Sequence, residues 1–597
     1  MSLFTNYKPY VRWWWFANKI YEKDIKTQLD WIKNNGFGGV EIAWIYATNY
    51  ENHLVAPKFL SKKWKALVNY ATKYAHSINL QCDFTFGTCW PFGGSMITEK
   101  YCARNFEGLS KDRVNGSWEL EPGRILNHLE RGALQYYSNI MGQGLKESIK
   151  INHCCLFCDS WEIDINNIWT DNFEMKFQNY YGYDITPFMT NINTEVNVRY
   201  DYRKLIADYI INEFYRPLTD ICHKLGALSR VQCHGSLTDL LEAYSTIDIP
   251  ESESLLFDPP FSQIAASAAA LTNKIRVSAE TFTCLYGFKP ALYMQQEYIG
   301  DLKLLADSLF ANGINFIIWH GMPYFNELFY ATIYVGPNSS LSPYFNDFNN
   351  YLTQVSHLMH QGTTYSKAAV YLPLEDNWMK NIYPDNLRRP GGIHYFDLRH
   401  LTFPTEVKDY RPLWITYPFL AKSKVKNSKL YCGTCKFKFL YIDVDWLDIQ
   451  SLIELLRIAT EGVLICLKRL PKQPGYVKYK EYQIYLNKLL SLTNVKSNLH
   501  DLTFGKPLLK SDLNIDYWCR QLDDNLIIFL AHPKSTSVIY PMIYQQSDCT
   551  NNILVNLEIY KFHKIFKIPC TFEPHQSLII KLNQSGLITF EDIKFQF

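Results

Sequence analysis

Over roughly the first 360 residues, short apolar runs alternate with amphipathic helical stretches, and this alternation limits the possible folds more than any other feature. Eight runs bounded by Gly, Pro or polar residues read as buried parallel strands. They are Val11–Phe16, Gly38–Trp44, Leu80–Phe86, Cys154–Ser160, Leu228–His234, Thr246–Ile249, Lys274–Ala279 and Ile314–Trp319. The stretches between them have helical spacing. Asp24–Asn34 aligns Ile25, Leu29 and Ile32, and Ser61–Ile78 opens on a capping serine and aligns Trp64, Leu67, Val68, Ala71 and Ala75. Leu302–Asn312 stops at Gly313, a residue suited to the left-handed turn that ends a helix. Eight such repeats predict a closed (β/α)8 TIM barrel over residues 1–365. An open doubly wound sheet is the alternative, but no GxGxxG turn follows the first strand.

Past residue 365 the pattern restarts. Ala368–Leu372, Phe439–Val444 and Val463–Leu467 read as strands and Trp446–Ala459 as a helix, which predicts a smaller α/β, flavodoxin-like domain over 366–508. Residues 509–597 are β-rich, as in Asn525–Ala531, Leu554–Tyr560 and Ser577–Leu582, and predict a β-sandwich. The 60 basic and 58 acidic residues nearly cancel, so the chain lacks the basic footprint of a nucleic-acid binder. It has no apolar run long enough to span a membrane and opens without an apolar leader, which predicts a cytoplasmic protein. Its 15 Cys lack framework spacing and read as reduced thiols, including the single Cys432-Gly-Thr-Cys435 pair, read as a turn.

In a barrel of this kind the strands end at a rim, and seven of the eight supply a polar or aromatic residue there. Strand two carries Glu41, and strand three leads to Trp90 in a Gly-rich loop, a platform for stacking on sugar. Strand four ends in Asp159-Ser-Trp-Glu162, strand five in His234, and the sixth in Asp248-Ile-Pro-Glu251-Ser-Glu253. Strand seven ends in Glu280 and strand eight in His320. Any one of these acids could merely cap a helix or bond a loop amide. Together they suit acetal hydrolysis, in which one carboxylic acid protonates the leaving oxygen and a second carboxylate activates water or attacks the sugar.

Several segments in order resemble glycoside hydrolase family 106, the α-L-rhamnosidases. They are Arg12-Trp-Trp-Trp-Phe16, Gly36-Phe-Gly-Gly-Val-Glu-Ile42, Trp90-Pro-Phe-Gly-Gly94, Asp159-Ser-Trp-Glu162, Asp248–Glu253, Ser278-Ala-Glu280, and Ala306-Asp307 through His320-Gly321. The resemblance implies an inverting, calcium-assisted hydrolase of terminal α-L-rhamnose in oligosaccharides or polysaccharides. It implies Glu162 as general acid and Glu280 as general base, or the reverse, with Glu251 and Glu253 shaping a calcium and sugar site. Trp90, Asp159, His234, His320 and Glu41 complete the expected sugar contacts. Two other readings stand beside it: a catalytically silent carbohydrate-binding barrel, and a barrel lyase or another glycosidase. The hydrolase reading requires Glu162 and Glu280 to reach the same end of the barrel, and neither to be neutralised by a permanent cation.

Overall fold

The computed structural model describes residues 5–595 except 88–89, 120–121, 164, 255–257, 288–294, 325–332, 381–397, 399–400 and 562. Among the described residues, eight parallel strands close into a barrel in sequential order. They are β1 Tyr10–Phe16, β2 Gly39–Ile45, β3 Gln81–Thr85, β4 Cys155–Cys158, β5 Leu228–Val231, β6 Ile249–Glu253, β7 Ser278–Thr281 and β8 Phe316–Pro323. The helices Glu22–Asn34 and Lys62–Ser77 bury the predicted apolar stripes, and the Ser61 hydroxyl accepts the Trp64 amide at 3.3 Å.

Strand alternation sorts the side chains between the barrel lumen and its helical coat. In β1, Trp13 and Trp15 join the core under the helices, while Trp14 packs inside against Phe16, Ala43 and Ile45. Tyr10 meets Phe316 and Ile318 in a separate apolar layer. Gly39 makes room for that layer, because a Cβ there would lie 2.8 Å from the Tyr10 ring.

The sixth and seventh strands are the two displaced from their predicted positions. The sixth was expected at Thr246–Ile249 and runs over Ile249–Glu253; the seventh was expected at Lys274–Ala279 and runs over Ser278–Thr281. Asp248 therefore precedes β6, at the end opposite the rim, where it accepts from His223 at 2.9 Å and from the Ser229 amide. The acids of the Asp248–Glu253 segment are thus divided between the two ends of the barrel.

The second domain has five parallel strands: β9 Ala368–Tyr371, β10 Leu413–Ile415, β11 Phe439–Ile442, β12 Leu464–Leu467 and β13 Val495–Lys496. Their order, β10-β9-β11-β12-β13, is the flavodoxin-like one. Cys432 and Cys435 face each other across a hairpin turn as buried free thiols, and burial pushes both up, to about 11 and 12. The C-terminal sandwich stacks a sheet containing Tyr517–Leu522, Asn525–Leu530 and Leu578–Leu582 on a second sheet of Leu509–Ser511, Ile553–Lys561 and Lys564–Phe572. Thr363–Thr364, at the end of the barrel segment, adds a strand to the first of these sheets.

Candidate active site

The middle of the lumen is ionic. Arg12 donates to Glu41 at 3.0 Å, to Glu280 at 2.6 Å and to Glu251 at 3.4 Å. Arg230 donates to both Glu41 and Glu251 and lies 3.7 Å from Asp83. The two guanidiniums flank the Phe157 ring, at 4.2 and 4.8 Å from its centroid. Thr85 completes Glu41 and Ser278 completes Glu251, both at 2.8 Å. Buried charges persist only when paired and hydrogen-bonded, and this lattice satisfies that condition with alternating signs.

Glu41 and Glu251 were expected to touch sugar, and Glu251 to touch metal as well. Both are 0% exposed, and the two arginines together engage both oxygens of each. Their geometry makes them framework, because each carboxylate is held by a guanidinium on both oxygens. The same fact bears on calcium, a hard cation that needs six to eight oxygen ligands. Glu251 is committed to guanidiniums, Glu253 bonds His234, and no group of three His, Cys, Asp or Glu among the described residues is arranged to hold a metal.

The upper layer is different. Asp159 and Glu162 follow β4, His234 follows β5, Glu253 ends β6, and Glu280 sits opposite it in register on β7. His320 lies on β8, with its ring 5.0 Å from Trp14. Trp90 packs edge-on to Trp14 and shares a crevice with Asp159, Ser160 and Trp161. Glu162 and Glu280 therefore stand at the same end of the barrel, Glu280 on β7 and Glu162 on a loop that is pinned. The Trp161 amide donates to the His234 carbonyl at 2.9 Å, tying the Glu162 loop to the end of β5. Gly235 permits that approach: its φ is +80°, and a Cβ there would lie 2.4 Å from the Trp161 carbonyl oxygen. His234 in turn bonds Glu253 at 3.0 Å and the Tyr244 hydroxyl at 3.3 Å.

Opposite environments act on these carboxyls. Burial raises Glu162 well above the ordinary carboxylate range, and the charges of Asp159, Glu253 and Glu280 add to the effect. Its Oε1 accepts from Ser160 at 3.2 Å. Asp159 is pushed up to about 8, chiefly by burial, with Glu280 and Glu253 assisting and Arg12 opposing. Glu280 moves the other way. Burial alone would raise it, but His320 and Arg12, with hydrogen bonds from Thr283 and Gln232, hold it below the usual carboxylate range. Arg12 and Gln232 occupy its Oε2, at 2.6 and 2.8 Å. Its Oε1 accepts from Thr283 at 2.7 Å and lies 3.4 Å from His320 Nε2. Oε1, unlike Oε2, has no guanidinium against it. The condition that neither acid be neutralised by a permanent cation holds for Glu162 among the described residues and fails for Glu280, which is ion-paired with Arg12.

Sequence reasoning missed Arg230 and Gln232. The available signal was period two on β5: Arg230, Gln232 and His234 share one face of the strand and its continuation, the face that points into the lumen.

A parallel barrel with opposed carboxyls at its C-terminal rim is an arrangement suited to acid–base hydrolysis of a glycoside. Residues 122–401 match the α-L-rhamnosidase model of glycoside hydrolase family 106, the family whose motifs the sequence resembles. The fold is similar to that of the rhamnosidase from Novosphingobium sp. PP1Y, with a TM-score of 0.72 at 12% identity, covering 96% of this chain and 82% of that one. It is also similar to the β-galactosidase from Bacillus circulans sp. alkalophilus, with a TM-score of 0.57 at 11% identity, covering 97% and 99%. At these identities the likeness is one of fold. In sequence, 266 residues are 25% identical to the "Putative beta-glucuronidase" of Formosa agariphila, covering 40% of this chain and 21% of the relative. The chain thus spans about a fifth of that relative's length.

Proposed function

We propose that the protein hydrolyses terminal α-L-rhamnosides by inversion, with Glu162 as general acid and Glu280 as the carboxylate that orients the attacking water. The observation that carries this reading is the opposed protonation of the two groups. Burial and the neighbouring carboxylates push Glu162 up, whereas His320 and Arg12 hold Glu280 down. Two carboxyls pushed apart by their surroundings divide acid and base roles between them. Glu162 gives its proton to the leaving oxygen as the glycosidic bond breaks. Water held at Glu280 Oε1 adds to the anomeric carbon, and its proton passes to Glu280. The substrate specificity rests on the family resemblance and on Trp90 as a ring against the sugar face.

Glu162→Gln and Glu280→Gln, assayed separately on an aryl α-L-rhamnoside, are each expected to lose on the order of 10²–10⁴ in kcat. The Glu162→Gln loss should be smaller with a good leaving group than with an alkyl aglycone, because a good leaving group needs less protonation. Asp159, also raised, is the other candidate for the acid, and Asp159→Asn separates the two through the same leaving-group comparison. Full activity in both glutamine variants would remove these residues from the reaction.

A further inference from the structure

A cavity of about 430 Å³ lies between the flavodoxin-like domain and the barrel-segment helix Val196–Tyr209. Its size falls within the ~300–1,000 Å³ range of ligand pockets. It sits outside the carboxyl ends of β9 and β11, where the strand order β10-β9-β11 switches from one side of β9 to the other. Open α/β sheets bind their ligands in that crevice. Tyr371 ends β9, Glu375 stands in the helix Leu374–Met379 that follows it, and Asp448 and Ser451 follow β11. Among the described residues, none that lines this cavity also lines the crevice at the barrel rim.

Glu375 is the unusual member. It is 4% exposed, and its two oxygens are treated differently. Oε1 accepts from the Tyr371 hydroxyl at 2.8 Å, the Asp448 amide at 3.3 Å and the Ser451 hydroxyl at 3.4 Å. Oε2 is buried without a hydrogen-bond partner. Burial, with the charge of Asp448 assisting, pushes Glu375 up to about 7. Asp448 itself is satisfied: Lys204 reaches it at 2.6 Å, the Tyr200 hydroxyl at 3.1 Å, and it caps the Gln450 amide at 2.8 Å. A buried carboxyl oxygen is costly to leave without a partner, and a ligand that brings a donor removes that cost.

The lining mixes donors with acceptors, Lys204 and Gln450 with Glu375 and Asp448, and adds the rings of Tyr200 and Trp378, whose centroids lie 6.0 Å apart. A hydroxyl both donates and accepts, so a polyol matches this mixture, whereas a phosphate or carboxylate would meet Glu375 and Asp448 as like charges. We propose that this cavity binds one neutral sugar unit of a glycan, with a hydroxyl donating to Glu375 and the apolar face of the sugar against the Tyr200 and Trp378 rings. It gives the protein a hold on a glycan apart from the bond being cut, and it does not depend on the roles assigned to Glu162 and Glu280.

The test is a ligand-observed NMR titration of the full-length protein, which requires no turnover. L-rhamnose and D-glucose are the neutral probes, and D-glucosamine is the cationic one. At least one neutral sugar should bind with millimolar affinity. Glu375→Gln keeps the shape and removes the charged acceptor, and should weaken that binding on the order of tenfold. Ala421→Trp, at an exposed lining position, fills the cavity, should remove the binding with rhamnoside hydrolysis unchanged, and serves where Glu375→Gln does not fold. No binding of either neutral sugar, binding of glucosamine alone, or neutral-sugar binding that either folded variant leaves unchanged would overturn the site. Because the readout is binding, a failed site would leave rhamnoside hydrolysis standing. Absence of hydrolysis in the wild type would instead count against the catalytic reading.

Discussion

At the residue scale, the protein turns one kind of side chain to three uses. Glu41 and Glu251 are spent on the arginine lattice, Glu280 is held toward its ionised form, and Glu162 is pushed toward its protonated form. Removing Arg12 should therefore act twice. Arg12→Ala leaves three buried carboxylates short of a partner and should cost about 3–5 kcal/mol, read by chemical denaturation. It should also raise the Glu280 pKa and shift the acid limb of the kcat/KM profile upward. In the wild type, that limb should lie below the usual carboxylate range, because Glu280 stays ionised as pH falls. The sign for stability follows from the same shifts. Glu41 and Glu280 are depressed on folding, so their stabilisation is present above the unfolded carboxylate pKa and is lost as pH falls through the lower folded values. Asp159 is raised to about 8, so between the unfolded carboxylate pKa near ~4 and about 8 the native state holds a proton that the unfolded chain has released. Its contribution declines as pH rises through that window, and Asp159→Asn should flatten the decline in a Tm series.

At the element scale, much of the barrel was legible because buried parallel strands are apolar runs of the right length, and six of the eight lie within a few residues of their predicted positions. β6 was misread for a physical reason. Its inward positions are Glu251 and Glu253, its second residue is Pro250, and no apolar run marks it. The lattice itself was not legible, since Arg12 and Arg230 lie far apart in sequence and only barrel closure makes them neighbours of the same glutamates. Glu162, Glu280 and His320 were legible as strand-end residues, whereas Glu41 and Glu251 were read as sugar contacts because sequence shows which face a residue takes but not its depth in the lumen. The loop-to-loop bond beside Gly235 gives a prediction at this scale. Gly235→Ala adds a Cβ where the Trp161 carbonyl sits, at a positive φ, and should destabilise by about 1–3 kcal/mol while lowering kcat through a displaced Glu162. Thermal unfolding and kcat measured on the same preparation check both parts.

At the scale of the whole molecule, the barrel and the flavodoxin-like domain share one continuous apolar core, running from Val11 through Leu440 to Val495. The sandwich is tied to the barrel through Lys303, Asp307, Tyr351 and Ser577, with Tyr351 donating to Asp307 at 2.5 Å and lying 2.7 Å from the Ser577 hydroxyl. The barrel and second domain should therefore melt in a single calorimetric transition, and a separate earlier melt of residues 366–508 would show the shared core to be weaker than its burial suggests. The site depends on this integrity, since its acids come from β4, β6 and β7 and meet only when the ring is closed. The most direct test of the catalytic account is proton NMR of the wild-type enzyme on an aryl α-L-rhamnoside, following the anomeric signal of the first sugar released. The account predicts β-L-rhamnose first, with the α-anomer growing in only by mutarotation; α-L-rhamnose first, or no sugar at all, would contradict it.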